Sequence, residues 1–271
     1  MVNIVILTGL ELRHTFIRKY IASSKEIKVI NTYCEGMEKS LRVIAEEYRP
    51  DDARLKHISA REQSEQDFFR LFCRLTPDYS NPVYIPKGQI NLYSDAIMKA
   101  KPDLLVAYGC SIIRDPLLSE FKGRFLNVHL GLSPYYRGSG TNYWPLVNGE
   151  PEYVGATFMH LDAGIDTGEV IHQIRAKYSL GDTPSQIGNR LIVDMCQVYR
   201  NIIVNLAKLK RMQQIPIPSN ARLYRKSDFT EESVRILYDN FKWGLIDRYL
   251  NEETDRCAKV PIINNPMEYN L

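Results

Sequence analysis

The sequence contains an apolar run near its start, Val2-Asn3-Ile4-Val5-Ile6-Leu7, which only Asn3 interrupts and which is followed by Thr8-Gly9. Such runs are typical of strands buried on both faces of a parallel sheet. Thr8-Gly9 predicts a turn, and residues 11–22 then show apolar residues at helical spacing on one face. A second strand is predicted over 27–31. This succession of strand, helix and strand indicates an α/β fold.

The same alternation continues along the chain and predicts three layers around a mostly parallel sheet. Residues 32–86 are charged and predicted irregular, apart from helices at 38–48 and 62–75. A catalytic domain is expected over 1–212, and a short C-terminal extension with one helix (234–249) over 213–271. Further strands are predicted at 104–107, 125–129, 153–161 and 170–178, and further helices at 91–99, 116–121, 143–148 and 183–212.

The composition is ordinary for a globular protein, with 44% hydrophobic and 25% charged residues among 271. A net charge of +3 is too balanced to indicate nucleic-acid binding. No window approaches the ~20 apolar residues of a membrane span, and the first residues predict a strand and not a signal peptide. We therefore expect a cytoplasmic protein. No metal site is expected, because the five cysteines lack metal-ligand spacing and are interpreted as reduced thiols: Cys34, Cys73, Cys110, Cys196 and Cys257.

Two short segments carry the chemistry. Asn127 and His129 lie two residues apart in a predicted strand, so their side chains are expected on one face. Asp166 follows in a Gly-rich turn. An amide, an imidazole and a carboxylate in one cleft can bind a developing oxyanion and move a proton, as acyl transfer requires. Taken singly, Asn127 with His129 could also form a structural turn, and Asp166-Thr167-Gly168 is an ordinary turn signature.

Taken together, these segments resemble the folate-dependent formyltransferase family. The resemblance rests on Asn127-Val128-His129, on Ser133-Pro134-Tyr135-Tyr136-Arg137-Gly138, and on Met159 with Asp162-Ala163-Gly164-Ile165-Asp166-Thr167-Gly168. The segment from Lys101 to Gly109 resembles the strand that leads to the family's folate pocket. Roughly three quarters of the chain is covered. The resemblance implies a three-layer Rossmann-like fold and is strongest to the sugar N-formyltransferases.

The resemblance further implies transfer of a formyl group from 10-formyltetrahydrofolate to a primary amine, with Asn127, His129 and Asp166 as the catalytic residues. The implied folate pocket consists of Tyr108, Gly109, Cys110, Ser111 and Ile113, with Leu161, Asp162, Gly164 and Ile165 opposite. The expected substrate contacts are Thr8, Gly9, Arg13 and His14, together with Ser133, Tyr135 and Arg137.

Two features qualify this set of contacts. The loop before Arg137 departs from the Ser-Leu-Leu-Pro of many relatives, because here the serine precedes Pro134 directly. Arg13 and His14 could equally begin a solvated helix. Thr8-Gly9 lacks the full dinucleotide fingerprint, so NAD binding is not expected.

The acceptor expected from this resemblance is an amino sugar on a nucleotide carrier, a small-molecule partner. The tail shows too few strand signals for the β-barrel of methionyl-tRNA formyltransferases, and it carries Tyr224, Arg225 and Lys226. Alternatives are a methionyl-tRNA or small-amine formyltransferase, a formyltetrahydrofolate hydrolase, and a non-catalytic folate-binding protein. Neither a membrane nor a nucleic-acid partner is expected. Leu237, Trp243 and Ile246 would fit either docking within the chain or a homodimer contact.

Overall fold

A computed structural model describes residues 1–36, 53–164, 168–219 and 221–265. Within these ranges the chain forms strands and helices in alternation. The strands are β1 (Val2–Thr8), β2 (Ile27–Glu35), β3 (Pro82–Ile85), β4 (Leu104–Tyr108), β5 (Phe125–His129), β6 (Tyr136–Gly138), β7 (Gly155–His160), β8 (Val170–Arg175) and β9 (Arg222–Tyr224). The helices are α1 (Leu12–Ala22), α2 (Ala53–Leu75), α3 (Ser94–Lys99), α4 (Leu117–Glu120), α5 (Trp144–Val147), α6 (Pro184–Asn205), α7 (Glu231–Lys242) and α8 (Leu245–Ala258).

Seven strands form one sheet in the order β3-β2-β1-β4-β5-β7-β8. The first five of these are parallel, whereas β7 runs antiparallel to β5 and β8 antiparallel to β7. One sheet face packs against α1, α2 and α6 through residues such as Ile17, Phe69 and Leu191, and the other face packs against α3 and α4 through Ile97 and Leu117. The predicted three-layer α/β fold with a mostly parallel sheet is therefore confirmed.

The main error in the predicted elements lies between residues 32 and 86. Strand β2 continues to Glu35, and β3 pairs with its second half. The polar residues of this segment conceal the strand, and their hydrogen bonds explain why they are accommodated: the Thr32 hydroxyl donates to the Ser80 carbonyl at 2.7 Å. Helix α2 begins at Ala53, earlier than predicted, and α6 ends at Asn205 instead of 212. The predicted helix at 38–48 lies outside the described residues.

The C-terminal segment packs closely on the rest of the molecule. Strand β9 pairs with β6 in a small second sheet, and the Tyr224 ring stacks on Trp144 with centroids 4.1 Å apart. The single helix predicted at 234–249 is in fact two, α7 and α8, which are separated at Gly244 with φ +75°. Among the described residues, no helix is long and apolar enough to cross a membrane. The division at residue 212 stays a prediction.

Candidate active site

A cavity of about 860 Å³ opens at the carboxyl ends of β1, β4 and β5. Ligand sites of open α/β sheets lie at this edge, because the loops that follow parallel strands converge there. Asn127 and His129 both line the cavity, as their spacing predicts. Its wall also contains Gly9, Arg13, His14, Tyr108, Gly109, Cys110, Ser111, Ile113, Leu161, Asp162 and Gly164.

The Asn127 side chain has no hydrogen-bond partner in the described ranges, although β5 is paired on both sides through its backbone. Its amide N–H groups are therefore available to an oxygen atom inside the cavity. The position is half-buried. A donor that is fixed on a rigid strand needs no rearrangement when charge develops on such an oxygen, which is the basis of oxyanion stabilisation.

Among the described residues, Thr141 and Gly131 define the position of the His129 ring. Its Nε2 lies 3.2 Å from the Thr141 hydroxyl oxygen, and that hydroxyl donates its own proton to the Leu130 carbonyl. Thr141 therefore accepts from the ring, which assigns the proton to Nε2. A Cβ atom at Gly131 would lie 2.7 Å from Nε2. Glycine is thus required at 131 for the ring to occupy this position.

A buried carboxylate holds the loop that follows β4. Glu35 Oε2 accepts the Ser111 N–H at 2.6 Å, and its Oε1 accepts the N–H groups of Gly88 at 3.1 Å and Ile90 at 3.3 Å. Lys87 Nζ lies 3.5 Å from Oε2. Burial, with the nearby Glu35 charge, raises the pKa of the Cys110 thiol to about 12. Cys110 is therefore a neutral part of the wall and not a nucleophile.

The opposite wall runs from Leu161 to Gly164. The Leu161 N–H donates to the Phe125 carbonyl at 2.8 Å, and Asp162 Oδ1 accepts the Gly164 N–H at 3.0 Å. Ile165 and Asp166, which the sequence assigns to folate binding and to catalysis, lie outside the described residues. Their roles remain predictions.

His14 and Arg13 lie at the start of α1, on the cavity wall. His14 Nδ1 accepts the Glu11 N–H at 3.2 Å, and burial followed by the Arg13 charge holds the pKa of His14 well below its ordinary value. The ring is therefore neutral, with its proton on Nε2. Arg13 is neutralised by Glu65, at 2.7 Å, and by Glu11.

Four residues expected to contact the substrate lie elsewhere. The Thr8 hydroxyl donates to the Tyr108 carbonyl at 2.8 Å, and the Ser133 backbone is bound by Thr157 and Gln173. The Tyr135 hydroxyl donates to the Pro261 carbonyl at 2.7 Å.

Arg137 lies in β6, paired with β9. Thr8, Ser133 and Tyr135 are buried, and none of the four is part of the cavity wall in the described chain. Strands β7 and β8 and the tail cover the loop that contains Ser133 and Tyr135. The role of these four residues as substrate contacts stays a prediction.

Several residues of the wall were not among the expected contacts. His57 belongs to an aromatic group with Tyr143, Phe229 and Tyr238, and its Nδ1 lies 3.2 Å from the Tyr238 hydroxyl. Burial, followed by the charge of Arg61, lowers the pKa of His57 to about 4. The amphipathic spacing of residues 53–75 could have revealed α2 and, with it, this group.

Positive charge gathers at the same end of the cavity. Arg61 from α2 and Arg225 and Lys226 from the segment after β9 all line it. Arg61 Nε lies 3.4 Å from Glu65, a carboxylate that Arg13 shares at closer range. The net charge of these side chains favours an anionic group on the ligand.

Comparison with known proteins now gives the family. Residues 2–203 match the family model described as formyl transferase. The chain belongs to the formyl transferase family. Its members are enzymes that transfer formyl groups, with formyl-tetrahydrofolate as the donor.

Formyl transferases of several kinds are similar to this chain. Methionyl-tRNA formyltransferase of Desulforamulus reducens is 34% identical over 152 residues, which is 55% of this chain and 46% of the relative. That of Alkaliphilus oremlandii is 37% identical over 109 residues, or 40% of this chain and 34% of the relative. The chain therefore spans about half or less of the length of these curated relatives.

Solved structures show the same fold. Phosphoribosylglycinamide formyltransferase from Anaplasma phagocytophilum gives a TM-score of 0.54 at 13% identity, over 83% of this chain and 98% of its own. A sugar N-formyltransferase from a Shewanella species gives a TM-score of 0.54 at 16% identity, over 84% of this chain and 78% of its own. An N-formyltransferase from Helicobacter canadensis gives a TM-score of 0.52 at 16% identity, over 85% of this chain and 73% of its own.

Proposed function

We propose that this protein is an N-formyltransferase that moves the formyl group of 10-formyltetrahydrofolate to a primary amine. The observation that carries the proposal is the placement of Asn127 and His129 in one cavity, the first with a free amide and the second with a fixed ring. A protein that only binds folate needs neither feature. Asp166 completes the proposed catalytic set from the sequence.

The cavity fits the proposed donor. Its volume of about 860 Å³ lies within the range for cofactor-sized ligands. We assign the donor to the wall formed by Tyr108, Gly109, Cys110, Ser111 and Ile113 and, opposite, by Leu161, Asp162 and Gly164, with Ile165 following from the sequence. Backbone groups of these two segments would pair with the polar edge of the pterin. The donor supplies the carbonyl carbon that the amine attacks.

In the proposed reaction, a bond forms between the amine nitrogen and the formyl carbon, and the bond from that carbon to the folate nitrogen then breaks. Negative charge collects on the formyl oxygen, to which Asn127 donates a hydrogen bond; one such donor is worth about 3 kcal/mol of barrier. His129 is held beside it. Asp166 takes the proton that the attacking nitrogen releases, and the folate nitrogen regains a proton on leaving.

For the acceptor we propose a nucleotide-linked amino sugar. Arg61, Arg225 and Lys226 suit a diphosphate, and Tyr143 with Phe229 offers an aromatic surface beside them. The N-formyltransferase from Helicobacter canadensis was solved with folinic acid and dTDP-3-aminofucose, so this fold can hold a folate and a nucleotide sugar together. We further propose Gly9, Arg13 and His14 as lining of this acceptor region.

Methionyl-tRNA is the second candidate acceptor, since proteins of that activity are 34% and 37% identical over the matched residues. An incubation with 10-formyltetrahydrofolate and a panel of amines distinguishes the two candidates. The panel contains amino-sugar nucleotides, methionyl-tRNA, glycinamide ribonucleotide and free amino acids, and mass spectrometry identifies the product. Formylation adds ~28 Da to the amine that is acylated.

The matched control is Asn127→Asp, which keeps the side-chain volume and removes the amide donor. A nucleotide sugar that gains one formyl group, and gains it far more slowly with the variant, supports the proposal. Labelled methionyl-tRNA would replace the proposed acceptor while leaving the chemistry in place. Folate consumption without a labelled amine indicates hydrolysis, and no consumption with any amine contradicts the proposed activity.

A further inference from the structure

A second cavity, of about 460 Å³, lies at the edge of the sheet opposite to the candidate active site. It opens where β1 and β4 begin, at Val2 and Leu104, and where β7 ends, at His160. The segment after α6 closes its other side. Its apolar lining consists mainly of Leu104, Ile171, Ile203, Leu206 and Leu209. Cavities of this size accommodate small organic molecules.

One wall carries an imidazole whose hydrogen-bonding groups are unused. His160 is 6% exposed, and both ring nitrogens are buried without a partner in the described chain. Burial, and then the charge of Arg211, lowers the pKa of His160 to about 4. The neutral ring therefore leaves one N–H donor and one lone pair unsatisfied, an unfavourable arrangement that a ligand with a polar atom would relieve.

The rim of this cavity is positively charged. Arg124, Lys210 and Arg211 line it. The Arg124 guanidinium donates to the carbonyls of residues 102, 103 and 120 at 3.1–3.4 Å, and Arg211 donates to the Gly123 carbonyl at 3.1 Å. Carbonyl oxygens fix these side chains without cancelling their charge. The lining also contains one carboxylate, Asp103, which accepts two hydrogen bonds from residue 3, so the three cationic side chains leave the rim with a net positive charge.

We propose that this cavity is a second ligand site, for a small organic anion that carries one carboxylate or phosphate on an apolar body. The anionic group would lie at the rim, between Arg124, Lys210 and Arg211. The body would pack on the apolar floor, and a polar atom of the ligand would meet the His160 ring. The site is separate from the formyl-transfer cavity and does not depend on which amine is formylated.

Nuclear magnetic resonance of the full chain tests the proposal directly, because the protein has five histidines and their Cε1–H signals can be resolved. The His160 signal is assigned by its loss in His160→Gln. Phenyl phosphate, benzoate and inorganic phosphate are then titrated one at a time. We expect phenyl phosphate to shift the His160 signal in a saturable manner and to bind at least about tenfold more tightly than inorganic phosphate, a difference of about 1.4 kcal/mol.

Arg211→Gln alters an exposed side chain, so the variant should fold, and it should weaken phenyl phosphate binding severalfold. The matched control is Arg235→Gln on the exposed face of α7, where the arginine pairs with Glu231; its affinity should equal that of the unaltered protein. A shift confined to His14 or His57 would locate the anion in the other cavity and overturn the proposal. So would the lack of any saturable shift at His160 below about 10 mM.

Discussion

The carboxylate of Glu35 and the backbone N–H of Ser111 are joined by a hydrogen bond of 2.6 Å across 76 positions of the sequence. This bond connects the end of β2 to the loop after β4. The same carboxylate accepts the N–H groups of Gly88 and Ile90. One buried side chain therefore fixes two loops, and one of them is the wall proposed to bind the folate.

Replacing Glu35 by alanine should destabilise the protein and weaken donor binding. Three backbone N–H groups would lose the charged acceptor that they share, with an expected cost of about 3 kcal/mol in the free energy of unfolding. The KM for 10-formyltetrahydrofolate should rise by about tenfold, or about 1.4 kcal/mol. Denaturant titration and steady-state kinetics measure the two effects. Glu26→Ala, in the exposed turn before β2, serves as the control and should stay within about 0.5 kcal/mol.

Asn127→Ala and Asn127→Asp should each reduce kcat by a hundredfold or more, because both remove the amide donor to the formyl oxygen. Stability should change little, since the side chain has no hydrogen-bond partner in the described chain. Single-turnover kinetics with the identified acceptor provides the measurement. We expect a comparable loss for Asp166→Ala. Near-normal turnover in the Asn127 variants would refute the oxyanion role.

Thr141→Val should lower activity through His129. The substitution keeps the side-chain shape and removes the hydroxyl that accepts from Nε2 at 3.2 Å, so the ring loses its orientation. We expect kcat to fall by about tenfold with an altered pH profile, as for other residues that position a catalytic group. Thr141→Ser restores the acceptor and should recover most of the activity. Equal activity of Thr141→Val and Thr141→Ser would show that the hydrogen bond between Thr141 and His129 does not contribute to catalysis.

Acidification should destabilise the protein below neutral pH. Burial lowers the pKa of His57, His160 and His172 to about 4, from an ordinary value of 6.5. Unfolding releases these rings to water, so the unfolded chain binds more protons between pH 6.5 and 4. The free energy of unfolding should therefore be retained above pH 6.5 and fall towards pH 4, by up to about 1.4 kcal/mol per pH unit for each ring.

Denaturant titrations at steps across this window measure the slope. His160→Leu removes one of these three rings. The free energy of unfolding of the variant should therefore change less steeply with pH, by the contribution of one bound proton. Above pH 7 the difference between variant and unaltered protein should be constant, which serves as the internal control. An unchanged slope in the variant would mean that His160 does not contribute.

Much of the fold follows from short-range pattern. Strands β1, β4 and β5 were predicted because apolar residues predominate in them. The second half of β2, from residue 32 to 35, was missed because Thr32 and Glu35 interrupt the apolar pattern. These polar residues are stabilised by partners that lie far away in sequence, such as Ser80 for Thr32, and no local window contains that information.

In the candidate site, too, local spacing was predictable and distant contacts were not. The i and i+2 spacing predicted that Asn127 and His129 face one space, and both line the cavity. Thr141, which holds the His129 ring, and Glu35, which holds the loop at Ser111, were not predicted, since their roles depend on contacts 12 and 76 positions apart. The burial of the loop with Ser133 and Tyr135 was not predicted either, because the elements that cover it, β7, β8 and the tail, come later in the chain.

The stacking of Tyr224 on Trp144 brings a late segment of the chain to the wall of a cavity that earlier strands and loops begin. The strands and loops before residue 165 supply Asn127 and His129, whereas Arg225, Lys226 and Phe229 enter from a segment attached by β9 and this stacked pair. We therefore expect that exchanging the segment after residue 212 between relatives, with its aromatic ring and short strand kept, changes the proposed acceptor region and leaves Asn127 and His129 in place.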